Sequence, residues 1–342
     1  MTRVLVTGAT GVLGAEILAR LHPRRALETL AVSRRGNPAR GVVAWHIGRE
    51  PAPPALRRRF DVIVHTAADT RWNQPPAEAW AANVDATAAV LALADRATHV
   101  IHVSTAFAVG LRGDTSSDRL ADYRNTYEWS KAGAERLVAR HARHTIVRPP
   151  LIIGRRSDGH VERFSGLYVL TRAWVAGLAP AIVGEPGSVV EIVPVDDVAA
   201  AVVAAIDAGP ARDPIVLGAG PCALTTADVV AATTGAVNGW RQQHGACRLP
   251  DPPIISASRW ERFFLPLART TLSERQLRTV DLLGEFIPYL SMSRPPRPTA
   301  LVPGVRAALG RAVRYWARTN PHAALAEPRP WTDGRAVMEQ LA

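Results

Sequence analysis

The sequence predicts an α/β fold in which a doubly wound parallel sheet is followed by a smaller, mainly helical C-terminal cap. Three observations lead to this prediction. Short β-branched runs alternate with helical patterns over the first 150 residues, as in a sheet covered by helices on both faces. The runs are apolar throughout, which is typical of strands buried on both faces. Beyond residue 150 the pattern becomes irregular and rich in proline.

The individual elements follow from these periodicities in chain order. Strands are predicted at Arg3–Thr7, Thr29–Ser33, Val42–His46, Asp61–Thr66, His99–Ser104 and His144–Arg148. Helices are predicted at Val12–Leu21, about Ala77–Ala97 and about Thr126–His141. Two later segments, the helix Asp196–Ile206 and the strand Pro214–Leu217, are expected to return to this region. The predicted domains are therefore 1–150, with 193–220 returning to it, and a cap built from 151–192 and 221–342.

Composition narrows the class of protein. The 342 residues carry 41 basic and 30 acidic side chains, a net charge of +11, but the longest basic cluster is only Arg57-Arg58-Arg59. Nucleic-acid binding normally requires a denser stripe, so no nucleic-acid partner is expected, whereas acidic small molecules or carrier proteins suit the charge. No apolar run reaches the ~18 residues of a membrane span. The two cysteines, Cys222 and Cys247, are expected to be reduced thiols in a cytoplasmic protein, and the histidines show no metal-ligand spacing.

The C-terminal pattern at Gly304–Arg318 predicts an amphipathic helix. Val305, Leu309, Val313 and Trp316 share one face, and arginines occupy the others. Such a helix either packs on its own domain or lies against a membrane or carrier protein. Packing on its own domain is the favoured interpretation.

A glycine-rich loop joins the first strand to the first helix, in Thr7-Gly8-Ala9-Thr10-Gly11-Val12-Leu13-Gly14. In this context Gly8 permits the tight turn, Gly11 lets the backbone approach a pyrophosphate, and Gly14 allows close packing of the helix on the strand. The helix N-terminus then offers N–H groups to the phosphates. The loop predicts a Rossmann-type dinucleotide site that includes Thr10, Val12 and Leu13.

The end of the second strand indicates which dinucleotide is bound. An acidic residue there would hydrogen-bond the free 2′-hydroxyl of NAD, but this chain has Ser33-Arg34-Arg35. Guanidinium groups suit a 2′-phosphate, so NADP(H) is predicted in preference to NAD(H). The alternative is that Arg34 and Arg35 are ordinary surface residues of an arginine-rich chain.

All but one of the basic side chains are arginine, and the exception is Lys131, four residues after Tyr127. On a helix this spacing places both on one face. An ammonium close to a phenol favours the phenolate and lowers its pKa, which would make Tyr127 a proton donor or acceptor near neutral pH.

Together these motifs resemble the extended short-chain dehydrogenase/reductase superfamily, in which the glycine loop, a Ser/Thr after strand five and Tyr-x-x-x-Lys occur in this order. Within it, the chain is most similar to the branch of thioester reductase domains and the fatty acyl-CoA reductases called male-sterility proteins. The segments that carry the similarity are His65-Thr66-Ala67-Ala68-Asp69-Thr70-Arg71-Trp72, Asn83-Val84-Asp85-Ala86-Thr87, Val103-Ser104-Thr105-Ala106-Phe107, Asn125-Thr126-Tyr127-Glu128-Trp129-Ser130-Lys131 and Arg148-Pro149-Pro150.

The resemblance implies roles for these residues. Tyr127 would be the catalytic acid/base, Lys131 would lower its pKa and bond the nicotinamide ribose, and Thr105 would hydrogen-bond the substrate oxygen. The same resemblance places Thr66, Ala67, Ala68 and Pro149 beside the cofactor. Asn83 would either support the cofactor loop or a proton-relay water, or act as a helix cap.

The leading functional hypothesis is an NADPH-dependent oxidoreductase that reduces an acyl thioester, an aldehyde or a ketone. Neither an adenylation segment nor a carrier domain is recognisable, so a thioester would be delivered by coenzyme A or a carrier protein. Two alternatives keep the fold: a nucleotide-sugar epimerase or dehydratase, and a non-catalytic dinucleotide-binding protein. The resemblance also implies a homodimer.

Overall fold

A computed structural model describes residues 1–292 and 295–328, so part of the predicted cap, 293–294 and 329–342, lies outside the described residues. The chain forms two compact units. Of the described residues, unit 1 comprises Met1–Ile152, Val193–Gly220 and Pro296–Val302, and unit 2 comprises the rest.

Unit 1 is built on one eight-stranded sheet in which every neighbouring pair of strands is parallel. Its strands are β1 Thr2–Thr7, β2 Leu27–Ser33, β3 Val42–Ala44, β4 Val62–His65, β5 His99–Val103, β6 His144–Arg148, β7 Ile215–Gly218 and β8 Ala300–Leu301. The spatial order is β8-β7-β6-β5-β4-β1-β2-β3. The order reverses between β1 and β4, and in doubly wound sheets ligands bind at the carboxyl ends of strands at this point. The predicted fold class is confirmed.

The helices of unit 1 are α1 Val12–Leu21, α2 Pro76–Trp80, α3 Ala86–Leu91, α4 Thr126–Val138 and α5 Val195–Ala208. One face of the sheet is covered by α1 and α5, which pack along each other. A core cluster of large apolar side chains contains Trp45, Leu56 and Phe60 together with Leu5 and Ile63, all 2% exposed or less. Each such side chain contributes roughly 1.5–3 kcal/mol by leaving water, which holds the strands in register beneath the site.

Two elements differ from the sequence-based predictions. The helix predicted over Ala77–Ala97 starts at Pro76, is interrupted by a π-helical turn at Ala81–Asp85 and ends at Leu91. It ends early because Asp95 accepts hydrogen bonds from the backbone N–H groups of Ala97 and Thr98 and closes a turn before β5. The strand β8 was not anticipated, since two residues in a proline-rich stretch carry no periodicity.

Unit 2 is mainly helical, and its longest helices are Thr226–Gln243 and Val305–Thr319. Its other helices are Leu167–Val175, Ala257–Arg259, Leu265–Thr271, Glu274–Gly284, Ile287–Leu290 and Pro321–Leu325, with a π-helical turn at Trp260–Phe264. Short paired strands are Val189–Val190 with Leu224–Thr225, and Ile182–Val183 with Ile254–Ile255. Two further short strands, Leu151–Ile153 and Ile192–Pro194, each contain residues of both units.

The predicted amphipathic helix corresponds to Val305–Thr319. Its apolar residues Val305, Leu309, Val313 and Trp316 are buried, and the helix packs against Thr226–Gln243. The apolar face of this helix is therefore buried by packing within unit 2. Across the described ranges, no helix combines the length and apolarity that crossing a bilayer requires.

Candidate active site

The loop between β1 and α1 leaves no room for a side chain at two of its glycines. Gly8 has a φ of +72°, and a Cβ built on it would lie 2.6 Å from Oγ1 of Thr66. A Cβ on Gly14 would lie 2.1 Å from the carbonyl oxygen of Gly8. Gly11 has an extended backbone and offers no side-chain cap where α1 begins. The N-terminus of α1 is therefore bare backbone, the arrangement that binds phosphates.

The other residues predicted for this loop occupy different environments. Thr10 is exposed, Val12 is half-buried, and Leu13 is buried in the core. Only Thr10 and Val12 thus have side-chain surface that a ligand can reach in this structure.

The end of β4 is fastened to the end of β1. The hydroxyl of Thr66 donates to the carbonyl oxygen of Thr7 at 2.7 Å, and the N–H of Ala67 donates to the Thr7 hydroxyl at 3.4 Å. Ala67 is half-buried and Ala68 is exposed. These contacts bring the predicted Thr66-Ala67-Ala68 segment to the glycine loop at the sheet's switch point.

Asn83 is 2% exposed and lies within the π-helical turn, not at a helix start. Its Oδ1 accepts from the N–H of Asp69 at 2.9 Å, and its Nδ2 donates to the carbonyl oxygen of Asp69 at 3.1 Å and to Oγ of Ser130 at 2.9 Å. Asn83 therefore connects the loop after β4 to α4, next to Lys131. These are the contacts of a loop-supporting residue and not of a helix cap.

The end of β2 carries an unsatisfied hydroxyl. Ser33 is 5% exposed, and within the described part of the chain its Oγ has no hydrogen-bond partner. Arg34 and Arg35, which follow it, are exposed. A buried polar atom without a partner is rare in folded proteins, and a bound ligand is one of the few explanations for it.

Thr105 and Tyr127 meet at the carboxyl end of β5. Thr105 is 4% exposed, and its hydroxyl lies close enough to the phenol of half-buried Tyr127 to lower the pKa of that phenol. The N–H of Ala106 donates to the carbonyl oxygen of Pro149 at 2.9 Å, which fixes the turn after Thr105 against the end of β6. Tyr127 lies in the first turn of α4, whose N-cap Asn125 accepts from the N–H of Glu128 at 3.0 Å.

Lys131 is one turn further along α4 and is 2% exposed. Its Nζ donates to the carbonyl oxygen of Val103 at 2.8 Å and lies 3.1 Å from Nε2 of His102. Burial lowers the pKa of Lys131 to about 8, and the charge of Glu135 opposes that shift.

The pKa of Tyr127 differs from the sequence-based expectation. Burial raises the pKa of the Tyr127 phenol well above its usual range, and the hydrogen bond from Thr105 only partly offsets this. The expectation of a lowered Tyr127 pKa is therefore wrong for this structure, because desolvation dominates the net shift. At neutral pH the phenol is protonated and suited to donate a proton.

Sequence reasoning missed three residues around Lys131, of which His102 and Glu135 are buried and Arg148 is half-buried. His102, of which the sequence showed only that it lacks metal-ligand spacing, contacts the ammonium, and Glu135 and Arg148 form an ion pair beside it. The available signals were weak: Glu135 is four residues after Lys131, and His102 is three before Thr105. In the ranges that the structure covers, no group of three or more acidic, histidine or cysteine side chains is arranged to hold a metal ion.

The residues present fit a phosphorylated dinucleotide. The glycine loop leaves the N-terminus of α1 as bare backbone, which would hold a pyrophosphate. Among the described residues the hydroxyl of Ser33 lacks a partner, and with the exposed Arg34 and Arg35 next to it, it would hold a 2′-phosphate.

Unit 2 contains an apolar cavity of about 40 Å³ between its helices Leu167–Val175 and Thr226–Gln243. Leu170, Trp174 and Val229 contribute to its lining. The hydroxyl of Thr171, another lining residue, is satisfied by a backbone carbonyl of its own helix at 2.9 Å. The cavity therefore suits an apolar group.

Comparisons with known proteins agree with this geometry. Residues 52–202 match the family model described as "Male sterility protein", an NAD-binding domain. The chain is 30% identical over 243 residues to the isonitrile lipopeptide synthase of Streptomyces coeruleorubidus, a match that covers 59% of this chain and 16% of the relative. The chain thus spans less than a fifth of that relative's length.

Two solved structures are similar over nearly the whole chain. The terminal R domain from the myxalamid PKS-NRPS biosynthetic pathway gives a TM-score of 0.64 at 20% identity, covering 96% of this chain and 93% of that chain. A thiolation-reductase di-domain from an archaeal non-ribosomal peptide synthetase gives a TM-score of 0.69 at 15% identity, covering 94% of this chain and 76% of that chain. At these identities the likeness shows the fold.

Proposed function

We propose that the chain is a member of the male sterility protein family of extended short-chain dehydrogenases/reductases, whose model matches residues 52–202, and that it is an NADPH-dependent reductase of an acyl thioester, an aldehyde or a ketone. One observation carries the proposal. Thr105, Tyr127 and the buried Lys131 come together at the carboxyl end of β5, the edge of the sheet where ligands bind, and the Thr105 hydroxyl acts on the Tyr127 phenol to lower its pKa.

The chemistry assigned to these side chains is proton donation to a carbonyl oxygen. When bound, the dinucleotide supplies the hydride that attacks the carbonyl carbon. Thr105 and Tyr127 donate hydrogen bonds to the oxygen on which negative charge develops, and Tyr127 then gives up its proton. The raised pKa of Tyr127 keeps this proton in place until the charge forms. The ammonium of Lys131 stabilises the phenolate that remains.

With an aldehyde or ketone, one hydride and one proton give an alcohol. With a thioester they give a hemithioacetal, which collapses to an aldehyde and a free thiol, and a second cycle would give the alcohol. We assign the delivery of the thioester to coenzyme A or a carrier protein. A structurally similar protein is a thiolation-reductase di-domain.

The test follows NADPH absorbance with purified protein against acyl-CoA esters of increasing length, aliphatic and aromatic aldehydes, ketones and nucleotide sugars. Tyr127→Phe should reduce kcat by at least ~10³-fold and leave NADPH binding within about twofold of wild type. The matched control is Tyr123→Phe, which also removes a phenol hydroxyl, one that donates to the carbonyl oxygen of Ser117 at 2.7 Å. This control should keep its turnover. Near-normal kcat in Tyr127→Phe, or turnover of nucleotide sugars alone, contradicts the proposal.

The preference for NADPH over NADH rests on the end of β2. Ser33 has an unpartnered hydroxyl among the described residues, and Arg34 and Arg35 place positive charge next to it. Arg34→Ala/Arg35→Ala should weaken NADPH binding by roughly 10- to 100-fold and leave NADH binding nearly unchanged, since each charge-assisted bond contributes about 1.5–3 kcal/mol before solvent screening. Arg140→Ala, another exposed arginine of unit 1, is the control. Equal losses for both dinucleotides would refute the preference.

We further propose a cytoplasmic homodimer. The exposed, unbridged thiols of Cys222 and Cys247 support a reducing compartment. Light scattering coupled to size exclusion measures the oligomeric state, and a monomer at micromolar concentration would contradict the dimer.

A further inference from the structure

The ammonium of Lys131 is held by two neutral acceptors. An ammonium has three N–H donors and no acceptor. Two of the donors are accounted for by the carbonyl oxygen of Val103 at 2.8 Å and by Nε2 of His102 at 3.1 Å. Among the described residues these are the hydrogen bonds that Lys131 makes, so one donor is left for a bound partner.

The hydrogen bond to Lys131 also fixes the state of His102. An ammonium can only donate, so Nε2 of His102 must accept and its proton must sit on Nδ1. Within the described ranges this Nδ1 is buried without a partner, and burial and the charge of Lys131 hold the pKa of His102 well below its usual range. An unsatisfied donor in the interior costs stability, so packing alone does not account for a histidine at this position.

The neighbouring His65 is neutral as well. The hydroxyl of Thr87 donates to the carbonyl oxygen of Asn83 at 2.6 Å, so it accepts from Nε2 of His65 at 3.1 Å. Nδ1 of His65 then accepts from the hydroxyl of Thr7 at 2.7 Å. Its ring centroid is 5.3 Å from that of His102, and burial lowers the pKa of His65 to about 3. This imidazole adds no charge near the ammonium.

The remaining titratable groups around Lys131 lie on its own helix. Glu135 raises the pKa of Lys131 but is itself paired with Arg148 of β6, and Tyr127 keeps its proton. His102 is therefore the titratable side chain that touches the ammonium directly.

We propose that His102 is a positioning residue that holds the Lys131 ammonium by accepting a hydrogen bond from it at Nε2. The proton affinity and orientation of Lys131 then depend on β5 as well as on α4. The meaning of this for catalysis rests on the proposed function, but the contact itself can be tested without turnover.

The test uses Lys131 as a unique probe, since no other lysine occurs in the chain. Protein labelled with ¹³C at lysine Cε gives one NMR signal, whose pH titration reports the Lys131 pKa directly. His102→Leu should lower that pKa by about one to two pH units, because a hydrogen bond to a charged group is lost. His102→Gln, which offers an amide oxygen, should titrate closer to wild type.

Two further variants separate this role from a general loss of packing. His102→Phe keeps a ring without the acceptor and should lower the Lys131 pKa as His102→Leu does. His99→Leu removes a histidine of the same strand that is 3% exposed but is hydrogen-bonded to Thr145, and it should leave the signal unchanged.

The outcomes distinguish this inference from the proposed function. An unchanged Lys131 titration in His102→Leu and His102→Phe, or an equal shift in His99→Leu, overturns the role of His102. A lowered Lys131 pKa in both His102→Leu and His102→Phe supports the role of His102, whether or not any carbonyl substrate is turned over. Absence of turnover would count only against the proposed reductase. If the reductase activity exists, the alkaline limb of its pH profile should move in the same direction.

Discussion

The ion pair between Glu135 and Arg148 lies inside unit 1, beneath the site. The side chains of Glu135 and Arg148 are 2% and 13% exposed. The guanidinium is bidentate, with Nε 3.0 Å from Oε1 and Nη2 2.5 Å from Oε2. Such a pair offsets the desolvation of both charges only while both are present.

The burial of the Glu135–Arg148 ion pair determines how much its loss should lower the free energy of unfolding. Glu135→Leu leaves a guanidinium without its counter-charge, and Arg148→Met leaves a carboxylate, so each should lower the free energy of unfolding by about 3–5 kcal/mol. The double variant removes both charges and should lie within about 2 kcal/mol of wild type. In a domain of this size the single variants correspond to a fall in Tm of roughly 6–20 °C.

The assay is urea unfolding of the four proteins, with the m-value checked for constancy. A double variant that loses as much as the two single variants together would refute the reasoning, because it would show that the charges act independently. Glu135→Leu should also lower the Lys131 pKa, since the Glu135 charge raises it, and the labelled-lysine titration measures this shift separately.

Three further predictions concern the glycine loop and Lys131. Gly14→Ala should prevent stable folding, because the new Cβ would lie 2.1 Å from the carbonyl oxygen of Gly8. Thermal unfolding measures this, and a variant with the wild-type Tm would contradict the geometry. Gly11 has an extended backbone, and a Cβ added to it would have its nearest contact at 3.0 Å, so Gly11→Ala should fold. It should bind NADPH at least ~10-fold more weakly in a fluorescence titration. Unchanged affinity would argue against phosphate binding at Gly11. The pKa of Lys131 falls from 10.5 when unfolded to about 8 when folded, so the unfolded state binds more protons between these values. The free energy of unfolding of wild type should therefore rise relative to Lys131→Met by about 3 kcal/mol from pH 8 to pH 10.5 and stay level below pH 8; parallel curves would contradict the shift.

Much of the fold could be predicted because its signals are local. Six of the eight sheet strands are preceded or followed by helices whose periodicity is visible in the sequence, and parallel order follows from that alternation. The strand Ala300–Leu301 could not be predicted, since its pairing with Ile215–Gly218 depends on a segment about 80 residues earlier. The π-helical turn at Ala81–Asp85 could not be predicted either, because it inserts a residue without changing the apolar pattern.

In the candidate site, too, residues of local motifs could be predicted from the sequence and long-range contacts could not. The glycine loop and the Tyr127–Lys131 spacing are contiguous motifs, so the sequence alone located them. The contact of His102 with Lys131 joins residues 29 positions apart on a strand and a helix, and no periodicity reports such a pair. Histidine is also ambiguous as a residue type, because packing, hydrogen bonding and metal ligation all use it.

Lys131 and Tyr127 show why locating a pair does not determine its electrostatics. Sequence spacing suggests that a cation close to a phenol lowers its pKa, and this holds where both groups remain solvated. Here burial acts on both: it lowers the pKa of Lys131 and raises that of Tyr127, so each group is pushed toward its neutral form. A neutral phenol that keeps its proton is unsuited to act as a base in the resting protein, but it is the state required to protonate an oxygen as hydride arrives. The burial that contradicts the predicted pKa therefore keeps on Tyr127 the proton that the proposed reduction requires.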